Sequence, residues 1–529
     1  MDQAIRLLDE QNNRPGLTTD AGFDVDVDEE DVLKVPVVRR SRWRTACASS
    51  INFLRHLLPS YLHALDHTAP RKLHPTAYID ALRGYAAVAV FVYHAFGLPD
   101  IWFLQLPIIR VLFDGGSGMV AIFFVISGYV LSYRMLKMIR NREATRLHGC
   151  LASSTFRRFI RLYGSTGIAT FIAALMVSLR WYIPYGMNPQ DTFLEQMWDW
   201  FQDFVASSDP FADIEGWVHD GVFRTRYLDQ MWTIPIEYRG SIVLFVFCTA
   251  SSKLSTAARW TFLWIVVVLS YYWRAVYVAE FLFGMFIADL SLSRHPERWS
   301  APLPPRLPVS ESEGENEGGS RSISGPVTRT SVQSPSLGLD EKPRLPSRRR
   351  WLTRERVLAA LASFASHFGY VALLLLGLVL LGQPDQQHSP DLGALTGQFP
   401  WPIIAWWIPP WYGDAAYTFW ISIGAFFVVL AIDSCPMLQR PFEWRFSQYL
   451  GDLSFGIYAM HWPIVYGFYR TVVEPWRATH LGESHLARLP GALLTAVIVL
   501  WAADYFTRLD KLVVRSARWV EKKTFIKWE

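Results

Sequence analysis

The chain has 529 residues, of which 51% are hydrophobic and 15% aromatic, and its formal net charge is only +4. This small net charge does not indicate a nucleic-acid-binding protein, and four scattered cysteines without metal-ligand or C-x-x-C spacing do not indicate a disulfide framework. Aromatic side chains are favoured at both faces of a bilayer, so the composition favours a membrane protein of many passes.

The first 77 residues are predicted to form a cytosolic N-terminal region. The stretch from Met1 to Leu33 is polar and acidic and has no basic lead into an apolar core, so it is not expected to be a cleavable signal peptide. The first membrane helix then serves as the insertion signal. Residues 1–35, like residues 300–348 later in the chain, cannot bury enough apolar surface to offset chain entropy, and both are predicted to be disordered.

Apolar stretches of about 20 residues predict an all-α integral membrane protein with about ten transmembrane helices. The fifth and sixth spans nearly touch and are expected to form a tight hairpin. The tryptophan-rich segment Trp401–Trp411 is broken by prolines and is expected to be interfacial or re-entrant. The predicted spans, in chain order, lie near 79–97, 117–138, 164–184, 231–250, 258–272, 274–291, 356–381, 414–434, 449–470 and 489–508.

The distribution of basic residues predicts the orientation. Lys and Arg are concentrated before the first span, between the second and third, in residues 292–355 and after residue 508, whereas the loop 185–230 is acidic. Because cytosolic loops carry an excess of basic residues, both termini are expected in the cytosol. The predicted membrane domain, 78–510, is then interrupted by a disordered cytosolic linker at 292–355 and followed by a basic tail at 511–529.

Arg83 and His94 share one face of the first predicted span. They are 11 residues apart, a spacing that returns to within about 20° of the same face, about 16 Å further along the helix. Ionisable groups are costly inside a membrane and usually mark a functional path. The alternative is a histidine that bonds to the backbone of a neighbouring helix.

Two more segments carry polar groups next to the spans. Ser127 and Gly128 in the second span allow close helix approach and a buried hydrogen bond, which by themselves indicate ordinary helix packing. Arg157, Arg158 and Arg161 precede the third span, and the last two are neighbours on one helical face. Planar guanidinium groups bind phosphates well, although a topology signal alone would also explain these residues.

Glu237 and His461 are the other ionisable groups expected inside the membrane. A lone buried Glu237 would neutralise itself or pair with a cation or a histidine. Arg239 is two residues away and therefore faces elsewhere on a regular helix, and Pro235 is expected to kink the helix just before Glu237. For His461 a structural or pocket-lining role is favoured over catalysis.

Together these residues resemble the acyltransferase 3 family of multi-pass membrane acyltransferases, in the family's order, over nearly all of residues 78–510. The family's proline after the arginine motif is replaced by Gly164, and Asp510-Lys511-Leu512 stands where its late E-x-P is expected. The matching segments are Asp80, Leu82, Arg83, Gly84 and His94 for D-x-L-R-G with R-x10-H, Phe123–Tyr129 for F-F-x-[IL]-S-G-[FY], Arg158 and Arg161 for R-x-x-R, Trp232, Thr233, Ile234 and Glu237 for W-[ST]-[LI]-x-x-E, and Leu450–His461 for L-G-x-[IL]-S-[FY]-x-[IL]-Y-x-x-H.

The resemblance implies transfer of an acyl group, with acetyl expected, from acyl-CoA to a hydroxyl group. On this reading His94 is the general base, Glu237 orients its ring or stabilises its cation, and arginines hold the phosphates of CoA. The arginines in that role are Arg83, Arg157, Arg158 and Arg161. The residues expected to be structural or to line the pocket are Asp80, Ser127, Gly128, Tyr129, Trp232, Ser454, Tyr458 and His461.

The acceptor is expected to be a small molecule of secondary metabolism such as a terpenoid or polyketide alcohol, with a sugar or glycan as the rival. No metal site and no nucleic-acid partner are expected. The endoplasmic reticulum and the plasma membrane are both open as locations. Three alternatives remain: a proton-coupled transporter or flippase that uses His94 and Glu237, a catalytically dead interaction protein, and a different membrane acyltransferase architecture.

Overall fold

A computed structural model gives the fold for residues 59–61, 73–96, 102–211, 225–297, 354–384 and 399–526. At residues 102, 105, 354–366 and 414 only the backbone is described. The predicted disorder at residues 1–35 and 300–348 lies outside these ranges, as does most of the predicted linker.

Every regular element in the described part of the chain is helical, so the all-α prediction is confirmed. Each predicted span falls on one of ten long helices. Their bounds are Ala77–Phe96 (α1), Gly116–Arg140 (α2), Ala144–Ser178 (α3), Thr233–Ala250 (α4), Thr256–Tyr272 (α5), Val276–Arg294 (α6), Arg354–Leu381 (α7), Ala416–Ser434 (α8), Arg445–Ile464 (α9) and Arg488–Thr524 (α10).

Among the residues that the structure describes, six helices are long and apolar enough to cross a membrane, which supports a membrane protein. The ten spans and the cytosolic termini stay predictions. The six helices are Gly116–Arg140, Ala144–Ser178, Asp229–Ala250, Val276–Arg294, Ala416–Ser434 and His485–Thr524.

Short helical segments connect the long helices. They include an amphipathic helix, Phe193–Ser207, in the loop between α3 and α4, and a nine-residue π-helix, Val465–Val473, that continues α9. The Trp-rich segment contains a short helix, Trp401–Ala405, and a 3₁₀ turn, Pro410–Ala415. The helices before residue 300 and from His367 onwards form one compact unit, and residues 301–366 form a second, of which only the helical backbone from Arg354 is described.

Glycines allow two helix pairs to approach backbone to backbone. In the crossing of α1 and α9, a Cβ atom added to Gly84 would lie 2.4 Å from the carbonyl carbon of Leu450, and Gly451 faces the backbone of Asp80. In the crossing of α2 and α6, a Cβ on Gly128 would lie 2.0 Å from the carbonyl oxygen of Phe281. Small residues at such crossings allow close van der Waals packing. In a bilayer this packing stabilises helix pairs, because lipid supplies no hydrophobic driving force between them.

Two helices extend further than the predicted spans. α3 begins at Ala144, about 30 Å along the helix before the predicted start at 164, and α10 continues to Thr524 through most of the predicted tail. These extensions pack together: Arg157 Nε lies 2.9 Å from a carboxylate oxygen of Glu521. The basic residues of α3 are therefore part of the folded helical unit.

A glycine substitution tests the crossing of α2 and α6. We expect Gly128→Ala to lower the free energy of unfolding by about 1–3 kcal/mol, because the new methyl group would overlap the Phe281 carbonyl. The control is Gly149→Ala on α3, where an added Cβ meets nothing within 4 Å and should be neutral or stabilising. Unfolding temperatures of the purified variants in detergent measure both effects, and equal temperatures would contradict the close packing.

Candidate active site

A cavity with an empty volume of about 680 Å³, its open mouth included, lies between α1, α2, α3, α4, α9 and α10. Its apolar wall comes from Val120, Phe123, Phe124, Leu162, Ile234 and Phe455. Its polar lining consists of two guanidinium groups, two carboxylates and five hydroxyls, from Arg83, Arg161, Glu237, Asp510, Ser127, Ser165, Thr233, Ser454 and Tyr458. The cavity thus combines two basic and two acidic side chains with an apolar wall.

Arg83 reaches the cavity from α1 and is held by α9. Its Nε and Nη2 atoms donate to the hydroxyl oxygen of Ser454 at 2.9 and 2.7 Å, and that hydroxyl donates to the carbonyl of Gly451 at 2.9 Å. Gly451 is also the residue at which the two backbones cross. The crossing therefore sets the position of the Arg83 guanidinium.

Glu237 is paired with Arg158. The Nη2 atom of Arg158 donates to Glu237 Oε1 at 2.6 Å, and its Nε donates to the hydroxyl of Ser241 at 2.8 Å. Both charged side chains are buried, and the hydroxyl of Ser127 also hydrogen-bonds to the carboxylate. Pro235 lies in the first turn of α4, where a missing N–H leaves no helical bond unmade, rather than at a kink inside the helix.

Arg157, Arg158 and Arg161 have three different environments. Arg158 is engaged by Glu237, and Arg157 bonds to Glu521 and to Ser153 without lining the cavity. Arg161 lines the cavity, is 9% exposed, and its Nη2 atom is buried without a hydrogen-bond partner among the described residues. An unpaired buried N–H of a cation is costly, so an anionic or carbonyl group in the cavity would stabilise it.

His94 lies in the last turn of α1, beyond the cavity lining, and is half-buried. Its ring stacks on that of His461 with centroids 5.4 Å apart and contacts the Trp462 ring at 4.8 Å. Arg470, in the π-helix, donates from Nη2 to the His94 carbonyl at 3.0 Å. The side chain that the structure places against His94 is therefore His461, whereas Glu237 contacts Arg158.

His461 is fully buried on α9. Its Nδ1 lies 3.1 Å from the carbonyl oxygen of Ile457, which requires Nδ1 to carry a proton, and its Nε2 has no hydrogen-bond partner among the described residues. Tyr458 lies between this histidine and the cavity: its ring is 5.9 Å from that of His461, and its hydroxyl contacts Thr233 at 2.9 Å and donates to the Gln230 carbonyl.

Other residues named from the sequence support the walls. Tyr129 donates to Asp433 at 3.0 Å, as does Tyr78, at a buried point away from the cavity lining. Asp80 is buried beside the crossing of α1 and α9, and Trp232 packs partly buried against the core. Gly128 lies at the crossing of α2 and α6 described above.

Ser165 and Asp510 line the cavity and were not predicted as site residues. The hydroxyl of Ser165 on α3 donates to the carboxylate of Asp510 on α10. The sequence signal was present, since Asp510 stands where the E-x-P of the resembled family is expected. A carboxylate there could have been assigned to the site, although Ser165 had no comparable signal.

The Glu237–Arg158 pair can be tested by removing one partner. We expect Glu237→Ala to destabilise the protein by about 3–5 kcal/mol, because it leaves a buried guanidinium uncompensated. The matched control is Glu143→Ala, which breaks the exposed pair with Arg146 and should cost at most about 1 kcal/mol.

The double variant Glu237→Ala/Arg158→Met supplies the second half of this test. Because it removes both charges, it should regain part of the lost stability. Thermal unfolding in detergent measures all three proteins. A double variant less stable than Glu237→Ala would argue against a mutually compensating pair.

The chain is similar to known proteins over the region that contains these site residues. Residues 76–508 match the family model described as an acyltransferase domain. An O-acetyltransferase, PaAT-1 from Phomopsis amygdali, is 29% identical over 516 residues, covering 90% of each chain. Acyltransferase clz18 of Cochliobolus lunatus is 23% identical over 82% of this chain and 91% of its own, and acyltransferase R4 of a Phoma species is 22% identical over 75% and 84%. No solved structure matches.

Proposed function

Because the chain belongs to the acyltransferase 3 family, we propose that it is a membrane-bound O-acyltransferase that moves an acyl group from acyl-CoA to a hydroxyl group. The relative named as an O-acetyltransferase supports oxygen as the accepting atom and acetyl as the group transferred. The observation that carries the proposal is a buried, arginine-lined cavity that adjoins a pair of stacked imidazoles.

Acyl-CoA fits the polar groups of this cavity. Its phosphates are anions and its thioester has a carbonyl oxygen, and either would satisfy the unpaired Nη2 of Arg161. Arg83 supplies a second guanidinium, already oriented by Ser454. Arg158 is paired with Glu237, so we assign it to holding this cavity carboxylate in place instead of to the phosphates.

His94 is the proposed general base. A neutral imidazole can take the proton of the acceptor hydroxyl while the oxygen bonds to the thioester carbonyl carbon. As the carbon–sulfur bond breaks, the His94 imidazolium returns that proton to the departing thiolate of CoA. Glu237 then acts through the position of Arg158, since the structure places it against that residue.

The proposed acceptor is a small apolar alcohol, such as a terpenoid or a polyketide alcohol. The apolar wall of the cavity, which includes Val120, Phe123 and Phe455, supports such a molecule over a sugar. We propose that the reaction takes place in the endoplasmic reticulum or in the plasma membrane.

Turnover in nanodiscs tests the reaction. The purified protein should release CoA from acetyl-CoA when given geraniol or farnesol, with methyl glucoside as the sugar comparison. His94→Ala should lower this rate by about 10²–10⁴-fold, the usual contribution of a general base. The control is His148→Ala, an exposed histidine on α3.

Each failure of this assay has a separate meaning. Acetyl-CoA that binds but releases no CoA with any alcohol would contradict the proposed acceptors or the acetyl group. An absence of acyl-CoA binding would contradict the donor and would favour the alternative of a proton-coupled transporter that uses His94 and Glu237.

Substitution of Arg161, with Arg157 as the control, tests the proposed binding of acetyl-CoA. Arg161→Met should raise the KM for acetyl-CoA by about 10–100-fold, because a hydrogen bond to a charged group contributes about 1.5–3 kcal/mol. Arg157→Met removes a neighbouring arginine that bonds to Glu521 instead, and should leave the KM close to wild type. Initial rates over a range of acetyl-CoA concentrations measure both, and equal effects would remove the special role of Arg161.

A further inference from the structure

His461 presents a hydrogen-bond acceptor that none of the described residues satisfies. Its contact with the Ile457 carbonyl fixes the proton on Nδ1, so in the neutral ring Nε2 carries a lone pair. This atom is buried and has no donor among the described residues, although the side chain is fully inside the protein. Buried polar atoms are nearly always paired, and this one lies one helical turn from the cavity-lining Tyr458, where a ligand could bring a donor.

The neighbouring side chains cannot supply that donor. The hydroxyl proton of Tyr458 goes to the Gln230 carbonyl, and the indole N–H of Trp462 faces the hydroxyl of Tyr182. His94 stacks ring against ring on His461, an arrangement that does not aim an N–H at Nε2. A donor N–H brought by a substrate would therefore complete the hydrogen bonding of this ring.

His461 lies on the helix face that also carries two residues of the cavity wall. Ser454, Tyr458 and His461 are spaced four and three residues apart, so they lie on one face of α9. The first two line the cavity, and the third is the next residue along that face, against His94. A molecule that extends along this face from Arg83 towards His94 would pass beside the imidazole of His461.

The acyl donor, and not the acceptor alcohol, has the N–H group that could bond to Nε2 of His461. In the proposed reaction the hydroxyl of an acceptor with a single alcohol group has one proton, and that proton goes to His94. Acyl-CoA, in contrast, carries two amide N–H groups in its pantetheine arm, the segment between the phosphates and the thioester. Only the donor substrate therefore brings an N–H that does not take part in the reaction.

We propose that Nε2 of His461 accepts a hydrogen bond from an amide N–H of the pantetheine arm, and so positions the thioester beside His94. The assignment rests on the proposed function and makes His461 a binding residue for the acyl donor. The sequence pattern alone favoured a structural or pocket-lining role for it.

Two isosteric variants separate this role from a structural one. His461→Gln places an amide oxygen near the position of Nε2, whereas His461→Asn places its amide near Nδ1 and can keep the bond to the Ile457 carbonyl. We expect His461→Asn to raise the KM for acetyl-CoA about tenfold or more and His461→Gln to raise it much less, with the KM for geraniol unchanged in both. A structural histidine would give the reverse order.

Altered donors test the bond itself. In acetyl-CoA analogues one pantetheine amide N–H is replaced by an ester oxygen, one analogue for each amide. We expect one of the two analogues to lose about tenfold in kcat/KM with wild type. This loss should be absent in His461→Phe, which has no acceptor, and intermediate in His461→Gln, which retains one. Full discrimination retained by His461→Phe would overturn the proposal.

The outcomes distinguish this inference from the function on which it rests. A wild-type protein that transfers no acetyl group from acetyl-CoA to any alcohol contradicts the proposed function. A wild-type protein that does transfer it, while His461→Asn changes only the KM for geraniol, overturns the inference alone. Elution as a single species in size-exclusion chromatography shows that each variant is folded. Isothermal titration calorimetry then measures the affinity for acetyl-CoA, and a folded His461→Phe with wild-type affinity would also overturn the inference.

Discussion

The close crossing of α1 and α9 is the constraint on which the site depends. Gly84 and Gly451 let the two backbones touch, and any side chain there would separate them. At one end of the contact the crossing brings Arg83 onto Ser454, and at the other it brings His94 onto His461. In a bilayer such contact is stabilised by packing and hydrogen bonds, because lipid chains are as apolar as the helices. The same approach therefore holds the helices together and places the reactive groups.

Most charged side chains near this contact have a partner of opposite charge or a hydrogen-bonding hydroxyl, whereas two side chains at or beside the cavity keep an unpaired polar atom. Buried ions are costly, and the structure compensates Arg158 with Glu237 and gives Asp510 a hydroxyl from Ser165. Arg161 and His461 each keep one polar atom unpaired. Unsatisfied groups of this kind lower stability, and the proposed binding of acyl-CoA would satisfy both of them.

The sequence predicted the helices well because hydropathy is a local property. Each predicted span coincides with a helix, and errors occur where a helix continues without the apolar pattern, as in α3 before residue 164 and α10 after residue 508. Partners could not be predicted in the same way. Glu237 and Arg158 are 79 residues apart, and nothing in their local pattern says which helices face each other. The histidine beside His94 was found in the sequence as a motif residue, but its free Nε2 depends on the rotation of α9, which only the fold defines.

The two kinds of cavity wall differ in how freely they can change during evolution. The polar groups are tied into hydrogen bonds between helices, so replacing one disturbs several contacts. The apolar wall, in residues such as Phe123 on α2 and Phe455 on α9, contributes shape without such ties. Volume-conserving exchanges of apolar residues usually cost less than about 1.5 kcal/mol. In the proposed reaction, reshaping this wall would change the acceptor while the polar contacts to the donor stay intact. The 22–29% identity between this chain and its relatives leaves room for such exchanges.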